Sequence, residues 1–137
     1  MLALGGMVLF SLVLVIVAMA NDVRVDTVVK AAVTEHRDLH FVDTGGGAVS
    51  ILDATDGDLV MTLSPGEDNF IRGVLRSMAR ERRSRDMGRD IPFRLARHSN
   101  GQLTLTDLAT ERQIDLNAFG SINAESFVRL FSSPATR

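Results

Sequence analysis

Asp38 to Leu63 reads DLHFVDTGGGAVSILDATDGDLVMTL, and this stretch decides the fold. Leu39 and Phe41 alternate with polar residues up to Gly45-Gly46-Gly47. Val49 and Ile51 alternate again, Asp56-Gly57 marks a turn, and Leu59-Val60-Met61-Thr62-Leu63 forms a third apolar run. A period of two broken by glycine and Asp-Gly signals predicts three short strands joined by hairpins. Pro65-Gly66 closes the third strand, and Glu67 and Asp68 place negative charge at a helix start. Phe70, Ile71, Val74, Leu75 and Met78 then recur with helical spacing, which predicts a helix ending near Gly88.

The pattern returns after Ile91-Pro92. Phe93-Leu95, Leu103-Leu105 and Ile114-Leu116 read as strands, Asn100-Gly101 signals a two-residue hairpin, and a last helix starts near Asn123. The halves align in places: Gly47-Ala48-Val49-Ser50-Ile51 lies over Gly101-Gln102-Leu103-Thr104-Leu105, Asp53 over Asp107, and Asn69-Phe70-Ile71-Arg72 over Ser126-Phe127-Val128-Arg129. One three-stranded meander with a helix cannot bury both faces, whereas two copies can share a core. The expectation is an α+β domain over residues 37–133, built from two βββα repeats, 38–88 and 91–133, about a pseudo-twofold axis. Residues 134–137 form a tail.

Upstream, Met1 to Asn21 is an uncharged stretch, MLALGGMVLFSLVLVIVAMAN. As a helix it reaches roughly 30 Å, the thickness of a bilayer's hydrocarbon core, so a single transmembrane helix is expected over 1–21. Gly5 and Gly6 permit close helix approach at one end. A cleaved signal peptide is the competing reading, since Ala18-Met19-Ala20 resembles a cleavage site. No Lys or Arg precedes the apolar run, however, and the run exceeds a usual signal core. Residues 22–36 read as a membrane-proximal connector, extended or helical. Charge gives orientation weakly, because Arg24 and Lys30 are offset by Asp22 and Asp26; a short N-terminal tail places the domain across the membrane.

The residues after the anchor suffice for one domain with a modest core. The chain has no Cys, which excludes disulfides and thiolate metal sites, and its net charge of -2 gives no bulk attraction to nucleic acid. The cations are one Lys against fourteen Arg. Arginine suits bidentate pairing with carboxylates and phosphates, while a GC-rich genome would enrich it without selection on chemistry.

Catalytic motifs fail when tested. His36-Arg37-Asp38-Leu39 matches the kinase catalytic-loop tetrapeptide, but Asp43 stands where Asn is required and no glycine-rich loop precedes a strand lysine. His36 and His40 would converge on zinc only from a helix, and Leu39-His40-Phe41 reads as strand. His98, beside Asn100-Gly101, reads as an exposed strand-end residue. Asp53 to Asp58 lacks calcium-loop spacing, with Ser64 at the closing position, and Thr44-Gly45-Gly46-Gly47 lacks the Gly-Lys-Ser/Thr of a phosphate loop. No catalytic residue, metal site or cofactor is predicted.

The first helix is different. Arg72, Arg76, Arg80 and Arg83 recur at spacings of four, four and three, extended by Arg82 and Arg85, on the side opposite Phe70, Val74 and Met78. Like charges at i,i+4 cost roughly 0.2–0.5 kcal/mol per pair, so the stripe needs anions. These are either Glu81, Asp86 and Asp90 of the domain itself, or acidic protein surface or anionic lipid outside it. The stripe is the candidate partner-binding surface.

Six stretches stand out together: Arg37-Asp38-Leu39-His40-Phe41-Val42-Asp43, Gly47-Ala48-Val49, Asn69-Phe70-Ile71-Arg72-Gly73-Val74-Leu75-Arg76, Ala79-Arg80-Glu81-Arg82-Arg83, Pro92-Phe93-Arg94-Leu95-Ala96-Arg97 and Ile114-Asp115-Leu116-Asn117-Ala118-Phe119-Gly120. They cover most of Arg37 to Phe131, and in this order they resemble the PuhC family of photosynthetic complex assembly proteins of purple phototrophic bacteria. The resemblance implies a single-pass protein of the bacterial inner, photosynthetic membrane with a periplasmic domain. It also implies a non-enzymatic assembly factor or accessory subunit for the reaction centre and light-harvesting complex I core. The implied partners are reaction-centre and light-harvesting I polypeptides and membrane lipids, with no nucleic acid. The family usually has a charged cytoplasmic N-terminal segment, and the uncharged stretch from Met1 departs from that pattern. No His lies in residues 1–21, so no directly ligated pigment is expected. The alternatives are a periplasmic enzyme, which a pocket of converging carboxylates or histidines would favour, and a membrane-tethered envelope-binding domain.

Overall fold

Gly45, Gly46 and Gly47 all hold positive φ, at 89°, 63° and 84°, a region that L side chains avoid. This reverses strand β1 (Val33–Gly45) into β2 (Ala48–Asp53) through the two-residue turn Gly46-Gly47. In the computed structural model, which describes residues 30–132, β3 (Leu59–Leu63) and helix α1 (Asn69–Ser84) complete the first half. The second half runs through β4 (Phe93–His98), β5 (Leu103–Asp107), β6 (Gln113–Asp115), a 3₁₀ turn (Leu116–Phe119) and α2 (Ser121–Ser132). The six strands form one antiparallel sheet in the order β3-β2-β1-β4-β5-β6. The α+β class is therefore as expected. Among the described residues no helix is long and apolar enough to cross a membrane. The expected span 1–21, with Gly5 and Gly6, lies outside the described residues.

β1 is the centre of the sheet and starts earlier than the alternation suggests. Its C-terminal part pairs with β2, from Leu39↔Asp53 to Gly45↔Ala48, and its N-terminal part pairs with β4, from Val33↔His98 to Leu39↔Phe93. Residues Val33 to His36 are exposed on both faces, so they carry no apolar alternation. Backbone pairing to β4 makes them strand. A shift of 54 residues carries Leu39↔Asp53, Phe41↔Ile51 and Asp43↔Val49 onto Phe93↔Asp107, Leu95↔Leu105 and Arg97↔Leu103, the observed β4–β5 partners.

The same correspondence reaches the turns. Asp53 Oδ1 accepts from Thr55 N–H and Asp107 Oδ1 from Ala109 N–H, both at 2.8 Å. Gly57 N–H donates to the Asp53 carbonyl at 2.9 Å and Glu111 N–H to the Asp107 carbonyl at 2.8 Å. Gly57 has φ 78°, and Glu111 is held at φ 63° in the equivalent place.

Three local expectations are corrected. Asn100-Gly101 is not a two-residue turn, because only Gly101 takes positive φ, at 83°; Gly101 N–H donates to the His98 carbonyl and His98 N–H to that of Gln102. That is a longer loop with glycine in the left-handed position. Helix α1 ends at Ser84 rather than near Gly88, because Asp86 turns left-handed at φ 53°. Met87 N–H then reaches the Arg82 carbonyl and Asp86 N–H that of Arg83, which caps the last turn. Finally, His98 is buried, not exposed. Its Nδ1 lies 2.9 Å from the Ala31 carbonyl and its Nε2 2.9 Å from Thr104 Oγ1. The carbonyl can only accept, so Nδ1 carries the proton, and in the neutral ring Nε2 accepts from Thr104.

One core joins both halves. Leu39, Ile51 and Leu63 from the first three strands meet Leu95 and Leu105 from the next two; α1 adds Ile71, Val74 and Met78, and α2 adds Ala124, Phe127 and Leu130. Phe70 bridges the helices, edge-on to Phe127 with ring centres 5.8 Å apart.

Candidate partner-binding face

The arginines of α1 divide by what they touch. Arg72 is half-buried and turned inward: its guanidinium donates to the carbonyls of Glu67 at 2.8 Å, Gly47 at 2.8 Å and Leu63 at 3.0 Å, and to that of Ser64. It ties the start of α1 to the β1–β2 turn and the end of β3. Arg82 is buried at 6 % exposure and faces Asp107, which is fully buried; Nη2 and Nε meet the two carboxylate oxygens at 2.7 and 2.8 Å. Its guanidinium carbon also lies 4.0 Å from the Phe93 ring centre, and Nη2 donates to the Ile91 carbonyl at 2.7 Å. Arg82 therefore clamps α1 to β4 and β5 and leaves the stripe.

The acidic groups offered as internal partners do not neutralise the rest. Glu81 receives Arg85 at 2.6 Å and Arg112 at 3.0 Å. The side chains of Arg76, Arg80 and Arg83 are exposed and make no hydrogen bond or ion pair to the described residues, and the same holds for that of Arg89 in the following loop. The sequence reading missed Arg89, which lies past the helical repeat although the basic run through Arg85 continues toward it.

Arg76 and Arg83, two turns apart, line a cleft of about 410 Å³ between α1 and the β1–β2 side of the sheet. Phe41, Val49, Leu75, Ala79 and Phe93 supply apolar walls, with Phe41 and Phe93 edge-to-face at 5.5 Å between ring centres. Arg72, Arg82, Arg89 and His40 add to the lining, and Asp43 is its one carboxylate. One oxygen of Asp43 accepts from Gly45 N–H at 2.9 Å. Arg80 faces a separate shallow hollow with Arg85 and Arg112. The stripe is thus two surfaces, a cationic cleft and a cationic flank.

Two further ion pairs anchor β1. Arg37 meets Asp53 at 2.7 Å and donates to the Leu130 carbonyl at 2.7 Å, which joins β1 to the end of α2. Arg94 grips Asp38 across β1–β4 at 2.8 and 2.9 Å. The Arg94 hydrogen bonds outweigh burial and hold the Asp38 carboxyl below its ordinary range. Burial alone would raise Asp53 and Asp107. The Thr55 N–H and Arg37 for the first, and Arg82 and the Ala109 N–H for the second, nevertheless hold both low. The His36-Arg37-Asp38-Leu39 tetrapeptide is therefore part of a strand, with its Arg and Asp engaged in ion pairs. His36 and His40 stand about 13 Å apart along that strand. Among the described residues no cluster of three metal-ligating side chains occurs.

A family model described as photosynthetic complex reorganisation protein PuhC matches residues 34–134. No curated protein matches the chain. Nor does any solved structure.

Proposed function

The chain belongs to the PuhC family of photosynthetic complex reorganisation proteins, and from that premise we propose a non-enzymatic assembly factor, or accessory subunit, of the reaction centre–light-harvesting I core. In this reading residues 1–21 span the inner membrane beside pigment-protein helices, with Gly5 and Gly6 at a close approach, and the domain lies in the periplasm. Arg76, Arg80 and Arg83 meet acidic surface on a core subunit. The observation that carries the proposal is that these three cations stand exposed without a partner among the described residues, whereas Arg37, Arg82 and Arg94 are each held by a carboxylate of the domain. Such contacts steer association and weaken as salt rises.

The polar lining of the cleft is five arginines with single His40 and Asp43, rather than converging carboxylates or histidines. That composition favours anion recognition over acid–base chemistry. The same reading takes the halves as copies of one βββα unit about a pseudo-twofold axis, supported by the 54-residue correspondence of partners and turns.

The test is a mild-detergent pull-down of the tagged full chain from photosynthetic membranes, with absorbance and mass spectrometry of what is retained. Wild type is expected to retain reaction-centre and antenna polypeptides, and the Arg76→Glu, Arg80→Glu, Arg83→Glu variant to lose them with its fold intact. Equal retention by that variant removes the stripe from the mechanism.

A further inference from the structure

The cleft and the flank present different chemistry. Arg80 stands over a shallow polar hollow, whereas Arg76 and Arg83 stand over aromatic and aliphatic walls. We propose that the cleft is a docking site for an extended acidic protein segment, one that carries two carboxylates about three residues apart with an apolar side chain between them. This rests on the partner-binding reading above and deepens it by naming the ligand's chemistry.

Three observations converge. The first is charge complementarity: Arg76, Arg83 and Arg89 line one opening and make no pair among the described residues, so a bound anion meets cations that need not first be released. The second is spacing. Arg76 and Arg83 are seven residues apart on one helix face, about 10.5 Å along the axis. Three residues of a polyproline II chain rise about 9 Å and return the side chain to the same side, so carboxylates at that interval reach both guanidiniums. A single phosphate headgroup presents one compact cluster of charge and does not match cations spread over two turns.

The third is the floor. Ala79 lies between the two arginines on α1, Leu75, Phe41 and Phe93 add apolar surface to the same cleft, and the volume of about 410 Å³ lies within the range of ordinary ligand pockets. Arginine at the rim keeps its charge at all relevant pH and forks onto a carboxylate bidentately. Asp43, the one carboxylate in the lining, opposes an anion at its own end of the cleft.

The experiment is fluorescence anisotropy with the full chain in a neutral detergent and a labelled octapeptide holding two glutamates three positions apart and a leucine between them. Comparators carry glutamines for the glutamates, or serine for the leucine. Wild type is expected to bind the acidic leucine peptide. Each comparator, and the Arg76→Glu, Arg83→Glu variant, is expected to weaken binding at least tenfold. Arg76→Lys, Arg83→Lys should retain part of it. A melting curve for each variant establishes that it is folded.

Equal binding by the charge-reversed variant overturns the proposal, as does equal binding of the serine peptide. Absence of binding at millimolar peptide also overturns it. Retention of the chain by phosphatidylglycerol vesicles through the same arginines, without peptide binding, makes the cleft a lipid site instead. If peptide binding fails while the core complex still co-purifies through the arginines, this inference falls and the functional reading stands.

Discussion

Replacing Asp107 with alanine should be among the most damaging single changes in the domain. Asp107 is fully buried and accepts two hydrogen bonds from Arg82, at 2.7 and 2.8 Å, and one from Ala109 N–H at 2.8 Å. Truncation leaves a guanidinium that is only 6 % exposed with the Ile91 carbonyl and the Phe93 ring as its main company. Stranding one member of a buried pair costs about 3–5 kcal/mol, because the remaining charge stays desolvated. For a domain of this size that lowers the melting temperature by about 12 °C or more. Thermal unfolding followed by circular dichroism measures it. The paired replacement Arg82→Met, Asp107→Leu separates charge from shape: with both charges gone and the volume kept, stability should return to within about 2 kcal/mol of wild type. A melting temperature for Asp107→Ala within about 4 °C of wild type would refute the reasoning, since it limits the loss to roughly 1 kcal/mol.

Arg72→Ala should cost about 2 kcal/mol through loss of the guanidinium bonds to four backbone carbonyls, and Arg72→Lys should not rescue it; urea unfolding reads both. Phe127→Ala should cost about 3–5 kcal/mol because the ring is fully buried, whereas Phe70→Ala, at a half-buried ring, should cost about 1–2; equal losses would contradict that ranking. Acid should destabilise the fold. The carboxyls of Asp38, Asp53 and Asp107 are lowered in the folded state, so their contribution is complete above their ordinary value near about 4 and is lost as pH falls below it. A stability flat from about pH 5 to pH 2 would contradict this.

What could be read from the chain was whatever a local pattern carries. Alternation around Leu39-Phe41, Val49-Ile51 and Leu103-Leu105 gave the strands, and the helical spacing from Phe70 to Met78 gave α1. The rest depended on partners distant in sequence. Val33 to His36 become strand only because β4 lies alongside. His98 reads as an exposed strand-end residue until the Ala31 carbonyl and the Thr104 hydroxyl close on its ring. Arg82 stands off the cationic repeat of α1, four residues after Met78 and in phase with Ile71 on the buried face, while the carboxylate it meets there comes from another strand, at Asp107. Arg72 lies in phase with Arg76, yet at the first turn it reaches backbone that Arg76, one turn on, does not. Periodicity found the face of the helix that carries positive charge; it could not say which charges were already spent.

The division of β1 has a kinetic consequence. Its C-terminal part closes a tight hairpin onto β2, while its N-terminal part waits for β4, with Val33 opposite His98. The contacts inside each three-stranded half are short in sequence and form quickly, but the seam between β1 and β4 must close a long loop before any pairing there is rewarded. Refolding should be limited by the zipping of that seam. Conservative truncations at Leu39 and Leu95 should then slow folding, while truncations confined to β6 should mainly speed unfolding.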